Sequence, residues 1–179
     1  MLLAALAVAL QLQGAPAPDL HPPPDIFSGT AALDFLSDDR ESLRGIRRVL
    51  LSINVPDEAA AAIDVGRLRS TAAFRLEQAG IEVVDQRNVE DPILVLSVRL
   101  LPEESRGRST GRVLYRVYAD LLQLVRLADL DGGARLMLAS TWHAGSFGAI
   151  DSSAVHSLVE RADEVIDAFT TDFSHVNQR

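Results

Sequence analysis

Ala144-Gly145-Ser146-Phe147-Gly148 has the form A-x-S-x-G, a variant of the nucleophile elbow that presents a reactive serine on a strained turn between strand and helix. Asp163, Asp167 or Asp172 and then His175 follow in the chain order of a hydrolase triad. The motif lies between an expected strand and an expected helix, as that chemistry requires. An elbow also needs a parallel sheet with several strand-helix-strand crossovers, and the pattern along this chain supplies one. His175 sits close to the end of the chain, where a general base is hard to hold. A small secreted serine hydrolase using Ser146 and a histidine is therefore the alternative expectation, and no catalytic residue is assigned.

Thr141-Trp142-His143 closes the last expected strand and holds the only tryptophan. Alternation places Leu136, Leu138, Ser140 and Trp142 on one face and turns His143 to the other. Trp142 then reads as core or rim and His143 as a solvated neighbour, with a ligand pocket at this strand end as the sharper possibility. His21, His143, His156 and His175 stand at no metal-ligand spacing, and the chain has no cysteine, so neither a metal nor a cofactor is expected. Asp129-Leu130-Asp131-Gly132-Gly133 lacks the later glutamate of a calcium loop and reads as a hairpin turn.

Arg99, Arg106, Arg108, Arg112 and Arg116 gather on one expected hairpin, partly offset by Glu103 and Glu104. Arg44, Arg47 and Arg48 form a second small cluster. If the faces adjoin, they make a basic patch able to meet an anionic headgroup, a glycan or an acidic protein. The residues singled out for ligand or partner contact are Trp142, His143, Arg106, Arg108, Arg112 and Arg116.

These residues need a frame. Val49, Leu51, Ile53 and Val55 alternate over 48–55 and predict a half-buried strand stopped by Pro56. Asp64 caps a helix that runs to Ala79 with Val65, Leu68, Ala72 and Leu76 inward, and Gly80 ends it. A short strand follows over 81–84, completing a β-α-β unit whose strands are parallel. Strands over 93–101, 112–127 and 135–144 form an antiparallel meander, with 102–108 a loop. The long middle strand puts Val113, Tyr115, Val117, Ala119 and Leu121 on one face. Leu114, Arg116, Tyr118, Asp120, Leu122 and Leu124 take the other, too apolar for plain water. A closing helix spans about 152–173, with Val155, Leu158, Val159, Ala162, Val165, Ile166, Phe169 and Phe173 in register.

The expected class is α+β: one mixed, mainly antiparallel sheet of about five strands, with two helices packed on one face. Residues 43–179 make a single domain, preceded by a Pro-rich linker and short docking segment over 18–42. Met1 to Leu12 is nearly unbroken Leu, Ala and Val, followed by small residues suited to cleavage at Gln13-Gly14-Ala15 or Ala15-Pro16-Ala17. That is the length of a signal-peptide apolar region, although no Lys or Arg opens it, and it predicts an exported product with residues 1–17 removed. The route to a lipid anchor needs a cysteine, and the chain has none.

The chain of 179 residues carries a net charge of −8, which disfavours nucleic acid and anionic lipid as general partners. Every basic residue is Arg, so Schiff-base and P-loop lysine chemistry is excluded. After signal removal no transmembrane span is expected.

Leu43-Arg44-Gly45-Ile46, the helix end Leu76-Glu77-Gln78-Ala79-Gly80-Ile81, the strand from Leu94 to Leu100, Tyr115-Arg116-Val117-Tyr118 and Thr141-Trp142 together resemble small exported bacterial proteins of unknown function. In element order the chain is similar to N-terminal domains of the TolB type and to auxiliary lipoproteins of ABC-type transport systems. The resemblance implies a periplasmic or secreted, non-enzymatic domain that binds an envelope protein or a small ligand, and it implies no catalytic residue.

Overall fold

The computed structural model describes residues 39–128 and 134–177. The signal-peptide and linker expectations for 1–38 and the turn at 129–133 lie outside the described residues. Strand β1 (Arg48–Asn54) is followed by a single helical turn, α1 (Asp57–Ala60), and then by α2 (Val65–Gln78). Asp64 caps α2, its side chain accepting the Arg67 N–H at 2.9 Å. At the other end Gly80 takes φ +86°, and the Ile81 and Gly80 N–H groups close on the carbonyls of Leu76 and Glu77. Those paired bonds satisfy carbonyls the helix would otherwise leave open, and only glycine adopts that backbone without strain.

Strand β2 (Glu82–Val84) pairs parallel to β1, as the β-α-β reading requires. β3 (Ile93–Ser105), β4 (Arg108–Ala128) and β5 (Ala134–Asp151) form the meander. The sheet order is β2-β1-β3-β4-β5, so β1 lies parallel to both of its neighbours and the rest is antiparallel. A 3-10 segment (Ser152–Ser157) leads into α3 (Leu158–Asn177).

The core is a single layer between one sheet face and the two long helices. Val49, Leu51, Leu94, Leu96, Val98, Val117, Ala119 and Leu121 supply the sheet side, all essentially buried. Leu68, Ala72 and Leu76 of α2 and Leu158, Ala162, Ile166 and Phe169 of α3 supply the helix side. The end of α3 is tied to the segment before β1: Asn177 Oδ1 accepts the Gly45 N–H at 2.8 Å, and Arg44 donates to the Val176 carbonyl at 2.9 Å. Asp91 is buried beneath Arg48, which donates to it at 2.7 Å. The Asn88 backbone N–H holds the Asp91 carboxyl below its ordinary range, outweighing burial, and Arg48 adds to the effect.

Three local readings change. Residues 102–108 are mostly strand: Glu104 pairs with Ser109 and Ser105 with Arg108. A two-residue turn at Arg106 (φ +53°) and Gly107 (φ +71°) joins them, with an irregularity beside Pro102, which has no N–H to give the ladder. The charges there read as a loop but are cross-strand neighbours on a projecting hairpin. β5 continues to Asp151 instead of stopping at Ala144. Finally, a bulge at Thr141 breaks the alternation, because Ser140 pairs with Leu122 while Trp142 pairs with Leu121. Ser140 and Leu138 therefore share the face of Leu122 and Leu124, and Trp142 lies on the helix side.

Candidate functional site on the open sheet face

Trp142 belongs to the core. It is 3% exposed, its ring meets Phe169 edge-on at 4.9 Å, and its indole N–H donates to Asp172 at 3.1 Å. It offers nothing to a ligand. His143, one residue on, faces the opposite side of the sheet, directly across from Asp120.

That opposite side is where the polar chemistry collects. The strand register sets Arg99 of β3 directly across from Arg116 of β4, and Ser97 across from Tyr118. β4 in turn sets Tyr118 against Gly145, Arg116 against Phe147 and Asp120 against His143 on β5. Arg99 and Ser97 hydrogen-bond the Tyr118 hydroxyl, and together they hold it below its ordinary range against the opposing pull of burial and of Asp120. The Arg116 guanidinium stands 4.4 Å from the Tyr118 ring centroid, a cation–π contact.

Two guanidiniums directly opposed across strands repel. Among the described residues neither Arg99 nor Arg116 has a carboxylate within salt-bridge distance. A pair of unneutralised guanidinium forks on a rigid strand pair is suited to binding carboxylate or phosphate oxygens. Around them lies apolar surface: Leu101, Leu114 and the 87% exposed Phe147 on one side, and Leu138 toward the other end of β5.

The other predicted contact residues separate from this group. Arg106 and Arg108 lie at the hairpin tip, eight residues along β4 from Arg116 in the case of Arg108, or about 26 Å at strand spacing. Arg112 is turned to Glu103 at 3.9 Å. Of the six residues singled out from sequence, the fold brings His143 and Arg116 together and disperses the rest. Arg99, Tyr118 and Phe147 complete the surface. The alternation of β4 already put Arg116, Tyr118 and Asp120 on one face, but their neighbours depend on the strand register.

The A-x-S-x-G string does not form an elbow. All of it lies within β5, and Ser146 faces the helix side, across from Val117. Its Oγ is shielded from solvent and has no hydrogen-bond partner. Gly145 and Gly148 serve packing: a Cβ on Gly145 would come within 2.7 Å of Tyr118 Cβ, and one on Gly148 within 2.9 Å of the Tyr115 hydroxyl. Among the described residues no group of three or more potential metal ligands is present, and no helix is long and apolar enough to cross a membrane.

No model of a known protein family matches the chain, and no curated protein matches it in sequence. Solved structures share the element arrangement loosely. A PelC variant from Paraburkholderia phytofirmans, a dodecamer, is 17% identical with a TM-score of 0.40, covering 76% of this chain and 90% of its own. A minor lipoprotein from Acinetobacter baumannii is 13% identical with a TM-score of 0.33, covering 72% and 91%. The rare lipoprotein B from Shewanella oneidensis is 16% identical with a TM-score of 0.24, covering 71% and 87%. Nothing about the role of this chain follows from likeness this distant.

Proposed function

We propose that this chain is a non-catalytic domain exported to the bacterial envelope, and that the open face of its sheet binds a partner protein there. The observation that carries the reading is the Arg99–Arg116 pair beside Tyr118. Two unneutralised guanidiniums, Arg116 over the Tyr118 ring and Arg99 at its hydroxyl, on a sheet face that the two long helices leave uncovered, provide for an anionic partner group. Tyr, Phe and Arg at the centre with apolar rows beside them is the composition of a protein interface more than of a small-molecule cavity. The apolar segment from Met1 to Leu12 and the small residues after it support export.

A photo-crosslinking residue placed at Leu114, on the open face, and at Glu77, on the solvent side of α2, tests the reading in the native bacterium. The proposal expects a discrete adduct from Leu114 that the double substitution Arg99→Glu, Arg116→Glu abolishes. An adduct that survives both charge reversals, or one formed only from Glu77, refutes it.

A further inference from the structure

Among the described residues β5 is an outer strand of the sheet and pairs with β4 alone. The strand at the other edge, β2, has only three residues, whereas β5 has 18. Long edges in natural proteins are normally blunted by charge, proline or bulges. From Leu136 to Ile150 there is no Asp, Glu, Lys, Arg or Pro. The one bulge, at Thr141, already has company: the Ser42 hydroxyl donates to the Thr141 carbonyl at 3.1 Å. From Trp142 to Ile150 the register is continuous and the edge is bare among the described residues.

Two features of that stretch are complementary to each other. Phe147 projects from the open face, 87% exposed. Gly145, two residues earlier on the same face, lies in the floor of a hollow of about 420 Å³ that is also lined by Arg116, Tyr118, His143 and Phe147 itself. Ser146 lies midway between them.

We propose that two copies of this chain pair through β5, antiparallel, about a twofold axis at Ser146. In that register each Phe147 lies opposite Gly145 of the other copy and closes over the hollow beside Tyr118. Trp142 lies opposite Ile150, Ala144 opposite Gly148, and His143 opposite Ala149, so helix-side residues meet helix-side residues and open-side residues meet their own kind. Ser146 of each copy lies on the axis, opposite Ser146 of the other. A knob and a hollow spaced symmetrically about one residue form an isologous contact, which is why the occupant is a second copy and not an unrelated strand. No like charges oppose across the pairing. The product is one ten-stranded sheet with both Arg99–Arg116 pairs on the same side.

Sedimentation velocity on the purified full chain tests this. A dimer is expected, and Phe147→Arg is expected to weaken it by about tenfold or more while leaving the circular dichroism spectrum unchanged. The chain has no cysteine, so a single Ser146→Cys variant can only cross-link between molecules. Oxidation is expected to give a covalent dimer from Ser146→Cys and none from Leu138→Cys, which lies on the same edge outside the register. A monomer at the highest concentration attainable overturns the proposal. So does an oligomer indifferent to Phe147→Arg, or equal cross-linking from both cysteine variants.

Discussion

Trp142 and His143 are adjacent in sequence and lie on opposite sides of the same sheet. On the helix side, Trp142 meets Phe169, bonds to Asp172 and belongs to the buried apolar core. On the open side, His143 sits in a field of Asp120, Tyr118, Arg116 and Arg99, where charges stand close together without being neutralised pairwise. The difference teaches where stability is kept in this molecule and where the proposed recognition would lie. One face has its aromatics packed and Trp142 bonded to Asp172. The other keeps two guanidiniums and an exposed phenyl ring, an arrangement that folding alone does not require.

Truncation of the covered face should have the largest effect. Trp142→Ala is expected to cost about 3–5 kcal/mol in urea unfolding, whereas His143→Ala should stay within about 0.5 kcal/mol. Equal costs would erase the distinction between the faces. Gly145→Ala comes next, since its Cβ must displace Tyr118 or the Val117 carbonyl, 2.8 Å away. About 1–3 kcal/mol of destabilisation is expected from such overpacking, measured in the same way.

The hydrogen bond from Arg99 to Tyr118 gives a spectroscopic handle on the open face. Arg99→Ala should raise the Tyr118 titration toward its ordinary value, followed by tyrosinate absorbance. A folded-state pKa held low stabilises the fold in full above the unfolded value of 10.0, and that contribution is lost as pH falls through the folded value. At neutral pH the substitution should therefore leave proton-linked stability unchanged. The smallest effect is expected on the helix layer. Burial raises the Asp163 carboxyl despite Arg75, and its Oδ1 has no hydrogen-bond partner. The folded state thus favours the protonated form, and the penalty is absent below the unfolded value of 3.8 and grows as pH rises through the folded one. Asp163→Asn should gain about 0.5 kcal/mol or less near neutral pH and nothing below pH 3.8.

The fold was legible where periodicity and caps agreed. The stripe from Leu158 to Phe173, the Asp64 cap with its Gly80 stop, and the alternation of β4 each point to the element observed. Where local chemistry and tertiary pairing disagreed, the sequence misled. Glu103, Glu104 and Ser105 look like a loop but are held in a hairpin by partners across the strand. Gly145 and Gly148 look like a turn, yet each faces a tyrosine on β4 and lies in mid-strand. The bulge at Thr141 leaves no mark in composition, and it reversed the face of every residue before it relative to Trp142. The candidate site was half visible for the same reason. β4 shows which of its own residues share a face, but Arg99 and Phe147 join them only through register, which belongs to the sheet and not to any one strand.

The most direct test is the photo-crosslinking comparison between the two faces in the native cell. An adduct formed from Leu114 and lost when Arg99 and Arg116 are both reversed to glutamate is the predicted result. An adduct formed only from Glu77, on the helix layer, would contradict the account, because it would put recognition on the face assigned here to holding the fold together.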